Sequence, residues 1–136
     1  MFRDKEHEEF FCSAIAKVRM ENDPYRQALF YLLGLTEETR RHIRDLYDFN
    51  SNSIVLYGLR APWQTGTTLR VCRLAFNLYN GYCEDNVNSF TPYELFDTEY
   101  REYLWIAIRL RYESGFQPTR TYDRITSGRI MNAMLE

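Results

Sequence analysis

The stretch WQTGTTLRVCRLAFNLYNG, residues 63–81, decides the fold. At about 100° per residue, Leu69, Val71, Cys72, Ala75, Phe76, Leu78 and Tyr79 fall on one broad side of a helix, while Arg70, Arg73, Asn77 and Asn80 fill the other. Thr65 or Thr67 supplies a side-chain cap at its start and Gly81 a stop at its end. A solvated helix face is ordinarily built from Lys, Glu and Gln, whereas Asn is a poor helix former that competes for backbone hydrogen bonds. Two Asn beside two Arg therefore point to directional hydrogen bonding. The partner is either the chain's own loops or another molecule.

Working outward, the flanking segments also read as helices. Residues 4–20 open with Asp4, Glu6, Glu8 and Glu9 and close with Lys17 and Arg19, the order that complements a helix dipole. Phe10, Phe11, Ala14, Ile15 and Val18 form their buried stripe. Asp23 then caps a second helix with Pro24 at its first position, apolar through Ala28, Leu29, Phe30, Leu32 and Leu33 and closed by Gly34. A third helix is expected from Thr36 to about residue 49, with Thr39 in the place of the usual capping-box acid. Residues 53–59 fit a brief strand or another helical turn, and one isolated strand makes no sheet.

Residues 82–90, with Asp85, Asn86, Asn88 and Ser89, form the most polar connection and the expected mobile loop. Thr91, Pro92 and Glu94 mark a short helix start. A last long helix begins at Asp97 or Thr98, buries Tyr100, Tyr103, Leu104, Ile106, Ala107, Leu110 and Tyr112, and stops at Gly115. The chain is thus expected to be all-α: one compact domain over residues 1–136, an irregular bundle of five or six helices, with 116–136 as a looser tail.

Composition narrows the function classes. A chain of 136 residues buries a real core without staples. Net charge is −2, so overall electrostatics do not steer it to nucleic acid or an anionic membrane. Among 17 basic residues only Lys5 and Lys17 are lysine, and Tyr occurs 11 times, so Arg stacked on Tyr should recur. Internal ion pairing accounts for this bias, as does a contact surface rich in the residues enriched at binding hot spots. Cys12, Cys72 and Cys83 are odd in number and lack a CxxC pair, which argues against a disulfide framework and for a cytoplasmic location. The first 20 residues lack the apolar core of a signal peptide, and no apolar run reaches the length of a membrane span.

Motifs for chemistry are sparse. His7 and His42 are the only histidines. Glu38, His42 and Asp45 lie four and three positions apart, close enough on a helix to meet at a metal, but the spacing matches neither HExxH nor ExxH and better fits an ion-paired face. No metal or cofactor is expected. Cys72 sits on an apolar face, Cys12 neighbours two Phe and Cys83 follows a helix end, so all three read as small core residues and not nucleophiles. No GxSxG, Walker lysine or dinucleotide fingerprint occurs, and the run from Gly58 lacks the Gly-Lys pair of a phosphate loop. Thr65, Gly66, Thr67 and Thr68 at a helix start, with Arg70 one turn on, form either a simple cap or an anion site. Arg40, Arg41 and Arg44 make a small basic cluster countered by Glu37, Glu38, Asp45 and Asp48, while Arg109, Arg111, Arg120, Arg124 and Arg129 bias the C-terminal part positive.

Several phrases together carry a resemblance: Asp4, His7, Phe10 and Phe11 near the start, YLLGL at 31–35, WQTG at 63–66 and RLAFNLYNG at 73–81. Over residues 4–81 the chain resembles an uncharacterised family of small proteins found in Firmicutes and often carried by their phages and mobile elements. The resemblance implies no activity and transfers no catalytic residues. Small proteins of that context without catalytic signatures often act by binding a host machine or a defence system, an association and not a physical argument.

The leading expectation is a non-enzymatic protein-binding module, acting as an inhibitor or regulator through Trp63, Arg70, Arg73, Asn77 and Asn80. A nucleic-acid-binding accessory protein is the alternative, and a metal-dependent or Cys-His enzyme comes third. Homo-oligomerisation through Met131, Met134 and Leu135 is open, as is their packing on the core.

Overall fold

The computed structural model describes residues 1–119. Seven α-helices, one two-stranded ribbon and two 3-10 turns follow in order among these residues. They are α1 (Lys5–Val18), α2 (Pro24–Leu33), α3 (Glu37–Arg41), α4 (Ile43–Leu46), β1 (Tyr47–Asp48), β2 (Ser53–Ile54), α5 (Gly66–Asn80), α6 (Pro92–Leu95) and α7 (Arg101–Tyr112). The architecture is all-α and irregular. The 3-10 turns, Leu56–Arg60 and Val87–Phe90, flank α5 in sequence.

α2 is the axis of the domain because its sequence is apolar all round, and such a helix is stable only when covered on every side. Ala28, Leu29, Phe30, Tyr31, Leu32 and Leu33 are fully buried, as is Leu35 just beyond. α5 and α7 pack most extensively against α2, and α1 covers a further side. Each large side chain so enclosed contributes roughly 1.5–3 kcal/mol. The helix starts as its sequence dictates: Asp23 accepts from the Tyr25 amide and Pro24 occupies the first turn.

Arg26 then ties α2 to the rest. Its guanidinium bonds Asp23, the Tyr47 and Tyr79 hydroxyls and the Asn52 carbonyl at 2.8–3.1 Å. It also lies over the Tyr79 ring, and Arg3 over Tyr100 and Arg111 over Tyr25 and Tyr112 repeat the Arg–Tyr stacking that composition suggests.

Four local expectations are corrected. The third helix is broken at His42 into α3 and α4, and the chain turns extended at Tyr47. Tyr47 and Asp48 thereby supply the antiparallel partner for Ser53 and Ile54, so residues 53–59 are strand first and 3-10 turn second. α7 starts at Arg101, three or four residues after the expected Asp97 or Thr98. Tyr112 stands 68% exposed at the end of α7 instead of packing inward; Leu104, Ala107 and Leu110 carry the buried stripe.

The 82–90 connection holds the second 3-10 turn and is bonded to α5. Residues 120–136, with Arg120, Arg124, Ser127, Arg129 and the Met131, Met134 and Leu135 turn, lie outside the described residues.

Candidate functional site

The polar side of α5 faces the chain that follows it. Arg70 donates to the Glu94 carbonyl (2.9 Å) and pairs with its carboxylate (3.1 Å). Asn77 Nδ2 donates to the Tyr82 carbonyl (2.9 Å), and Asn80 Oδ1 accepts the Tyr82 amide (3.0 Å). Gly81 reverses the chain at φ 80°, a left-handed conformation that a side chain would strain, and thereby brings Tyr82 back onto the helix. Of the two partners left open by sequence, the chain's own loop takes the amides and Arg70.

Arg73 is the exception in this row. Its Nε is buried, lies 3.7 Å from Glu84 Oε1, and has no hydrogen-bond acceptor among the described residues. A buried guanidinium N–H without an acceptor costs of the order of 1–3 kcal/mol.

Trp63 is pinned, not free. Its indole N–H donates to Asp45 (2.9 Å) and its ring stacks on His42 with centroids 4.5 Å apart and planes 7° from parallel. His42 Nε2 faces Glu38 at 3.9 Å while Nδ1 faces Asp45 at 3.8 Å. The two carboxylates address opposite edges of the imidazole, so the three groups do not converge on one point. No group of three or more His, Cys, Asp or Glu able to hold a metal occurs among the described residues.

The Thr65–Thr68 segment is closed on itself. The Thr68 amide donates to Thr65 Oγ1 and the Thr65 amide to Thr68 Oγ1, a reciprocal cap, and the Thr68 hydroxyl donates to Gln64. Gly66 and Thr67 occupy the first turn, and Arg70, one of whose terminal nitrogens lies beside Gly66, pairs with Glu94.

Arg40, Arg41, Arg109 and Arg111 are similarly engaged. Arg40 donates to the Gly34 carbonyl, Arg41 pairs with Glu37 and Glu38, Arg109 with Glu113, and Arg111 donates to the Leu78 carbonyl.

Two nucleophile-type residues are sealed in the core. Cys72 is fully buried and its thiol is pushed up to about 12 by desolvation. His7 is fully buried among Phe2, Tyr31 and Tyr103, and burial holds its imidazole down to about 4. Its Nδ1 accepts the Arg3 amide (3.0 Å), which leaves Nε2 to donate to the Tyr31 carbonyl (2.6 Å). Cys12 and Cys83, expected in the core, are exposed; Cys83 Sγ donates to the Glu84 carbonyl.

Above Arg73 a groove of about 720 Å3 opens between the Leu56–Arg60 turn and residues 82–86, with Leu59 and Tyr82 in its walls. Tyr57 and Leu56 stand on its rim at 64% and 46% exposure, beside the exposed Arg60. Gly58 sets that posture, because a Cβ there would lie 2.3 Å from the Asp45 carbonyl oxygen; only glycine lets the turn press on α4. The sequence signal for this groove was the apolar pair Leu56-Tyr57 ahead of Gly58. It was masked by the strand-or-turn ambiguity of residues 53–59.

These features define an all-α domain whose polar helix face is largely committed to the chain that follows it and whose open groove sets Arg60, Arg73, Tyr57 and Tyr82 beside Glu84 and Asp85. The chain belongs to the family of unknown function DUF6075, whose model matches residues 1–123. No curated protein and no solved structure matches it. No described helix is long and apolar enough to cross a membrane.

Proposed function

We propose that the protein is a non-enzymatic, cytoplasmic protein-binding module that inhibits or regulates another protein, and that its contact surface is the groove over Arg73. The observation that carries this reading is the open groove itself, where exposed Tyr57 and Leu56 stand with Arg60 beside Arg73 and its ion-pair partner Glu84. Tyr and Arg are among the residues most enriched at interface hot spots, and the groove sets Tyr57, Arg60 and Arg73 side by side. The non-enzymatic part is supported by the inert settings of Cys72 and His7. The Firmicutes mobile-element context implied by the resemblance makes the partner a host or defence protein. Of the residues singled out in sequence, Arg73 lines this surface; Asn77 and Asn80 hold its Tyr82 wall, Arg70 holds α6, and Trp63 holds α4 against the segment leading into α5.

The test is affinity capture from the native host with tagged wild type and Tyr57→Ala in parallel. Tyr57→Ala should unfold at the wild-type temperature yet retain a specific partner at least tenfold less well. Equal capture of the same protein by both forms would remove the groove from the interface.

A further inference from the structure

α1 packs on α2 and presents a second groove of its own. This groove, of about 290 Å3, is lined by Phe11, Cys12, Ile15 and Ala16, with Gln27 of α2 and Gln117 also in its walls. Its size suits a few side chains better than a whole ligand. Glu8, Cys12 and Ala16 stand four positions apart on one stripe of α1, and the small side chains of the last two let another helix approach closely. The groove over Arg73 carries four charged residues, Arg60, Arg73, Glu84 and Asp85, whereas Glu21 is the charged residue in this one among the described residues. An apolar helix face fits here.

The path of the chain leads to the same place. Beyond α7 it returns to α1: Gln117 lines the groove, and the Thr119 carbonyl accepts the Phe2 amide at 2.9 Å. Phe2 is buried with its ring 5.4 Å from that of Phe11, so residue 119 is held beside the groove. Two residues separate it from Gln117, about 7 Å at most. Residues 120–136 follow, and their sequence carries the matching face. Ile130, Met131, Met134 and Leu135 recur at the spacing of one helix side behind Ser127 as a cap, while Arg129 and Asn132 fall opposite. From Ile130 to Leu135 a helix rises about 7.5 Å, the same as from Phe11 to Ala16. Residues 120–126 reach about 23 Å when extended, enough to turn back from Thr119. Their Arg120 and Arg124 are opposite in charge to Glu8 and Glu9 at the start of α1.

We propose that the occupant of this groove is the chain's own C-terminal segment: residues 127–135 dock as a helix along α1, with Ile130, Met131 and Met134 over Cys12 and Ala16. α1 is then held between α2 and this segment. Release of the segment uncovers Cys12, which makes docking readable as thiol reactivity.

Thiol modification of the full chain, followed residue by residue by mass spectrometry, tests it. Met131→Asp with Met134→Asp puts two charges into an apolar contact and should raise the Cys12 rate about tenfold, with Cys83 unchanged and Cys72 still unlabelled. In a Cys83→Ser background, Met131→Cys or Met134→Cys should form a disulfide with Cys12 within one chain on mild oxidation with diamide. This second arm stands whatever the paired Asp substitutions do to the fold. An unaltered Cys12 rate in the Asp variant overturns the proposal. So does the failure of both cysteine pairs to close, or a Cys12 disulfide formed only between two chains, which assigns the groove to a second copy. Tyr57→Ala should leave the Cys12 rate at the wild-type value whatever it does to partner capture, so the two readings fail separately.

Discussion

Acidification should weaken this fold through one imidazole. His7 is fully buried, neutral, and hydrogen-bonded on both nitrogens, with burial holding it down to about 4 against 6.5 for an exposed histidine. Because the folded value lies below the unfolded one, the stabilisation is complete above pH 6.5 and is lost as pH falls toward 4. Each pKa unit corresponds to about 1.4 kcal/mol, so the whole interval amounts to about 3 kcal/mol, of which about 2 kcal/mol is gone at pH 5. That is a sizeable share of a typical domain's stability. Urea unfolding of wild type and His7→Gln between pH 8 and 5 measures it, with NMR titration of the imidazole alongside. Gln keeps a donor near the Tyr31 carbonyl and does not titrate, so the variant should be less stable at pH 8 but shallower in its pH dependence by about 2 kcal/mol across the range. Equal pH slopes for the two proteins, or a His7 that titrates at 6.5 or above in the folded state, would refute the reasoning.

Other perturbations follow from the same contacts. Arg26→Ala should cost about 2–3 kcal/mol in urea unfolding, since it strands two tyrosine hydroxyls, a carbonyl and a carboxylate, Asp23 among them, in a partly buried cluster. Gly58→Ala should cost about 1–3 kcal/mol because its Cβ, 2.3 Å from the Asp45 carbonyl, forces the backbone of the turn to move; calorimetry would register it as a lower unfolding temperature. Asn77→Ala should cost about 1 kcal/mol and speed amide exchange in residues 82–86, one of whose side-chain bonds to α5 it removes. Under native conditions a thiol reagent should label Cys83 readily and Cys72 only after unfolding, read by mass spectrometry.

The starts of α2, α3, α5 and α6 were legible in the sequence. Asp23 with Pro24, Thr36, Thr65, and Thr91 with Pro92 cap helices where their sequence places them, because a cap is a contract between residues two or three positions apart. The buried stripe of α5 and the all-round apolarity of α2 were equally plain, since periodicity is local. The break at His42 was not, for nothing within the 36–49 segment announces it. His42 is held by stacking on Trp63, 21 positions away, and the chain beyond it by pairing with Ser53 and Ile54. Similarly, Tyr112 satisfies the helical period of a buried residue yet stands exposed at the end of α7, stacked on Arg111.

By itself, then, the sequence determined the class of fold, the capped starts of α2, α3, α5 and α6, and which residues of α5 would seek directional bonds. Only the tertiary structure decided where those bonds go: Gly81 and Tyr82 double the chain back, so Arg70, Asn77 and Asn80 meet their own loop while Arg73 is left beneath an open groove. The physical reason is range. A helix face is written in residues three and four apart, but whether water, a loop or another molecule covers it depends on the path of residues far along the chain.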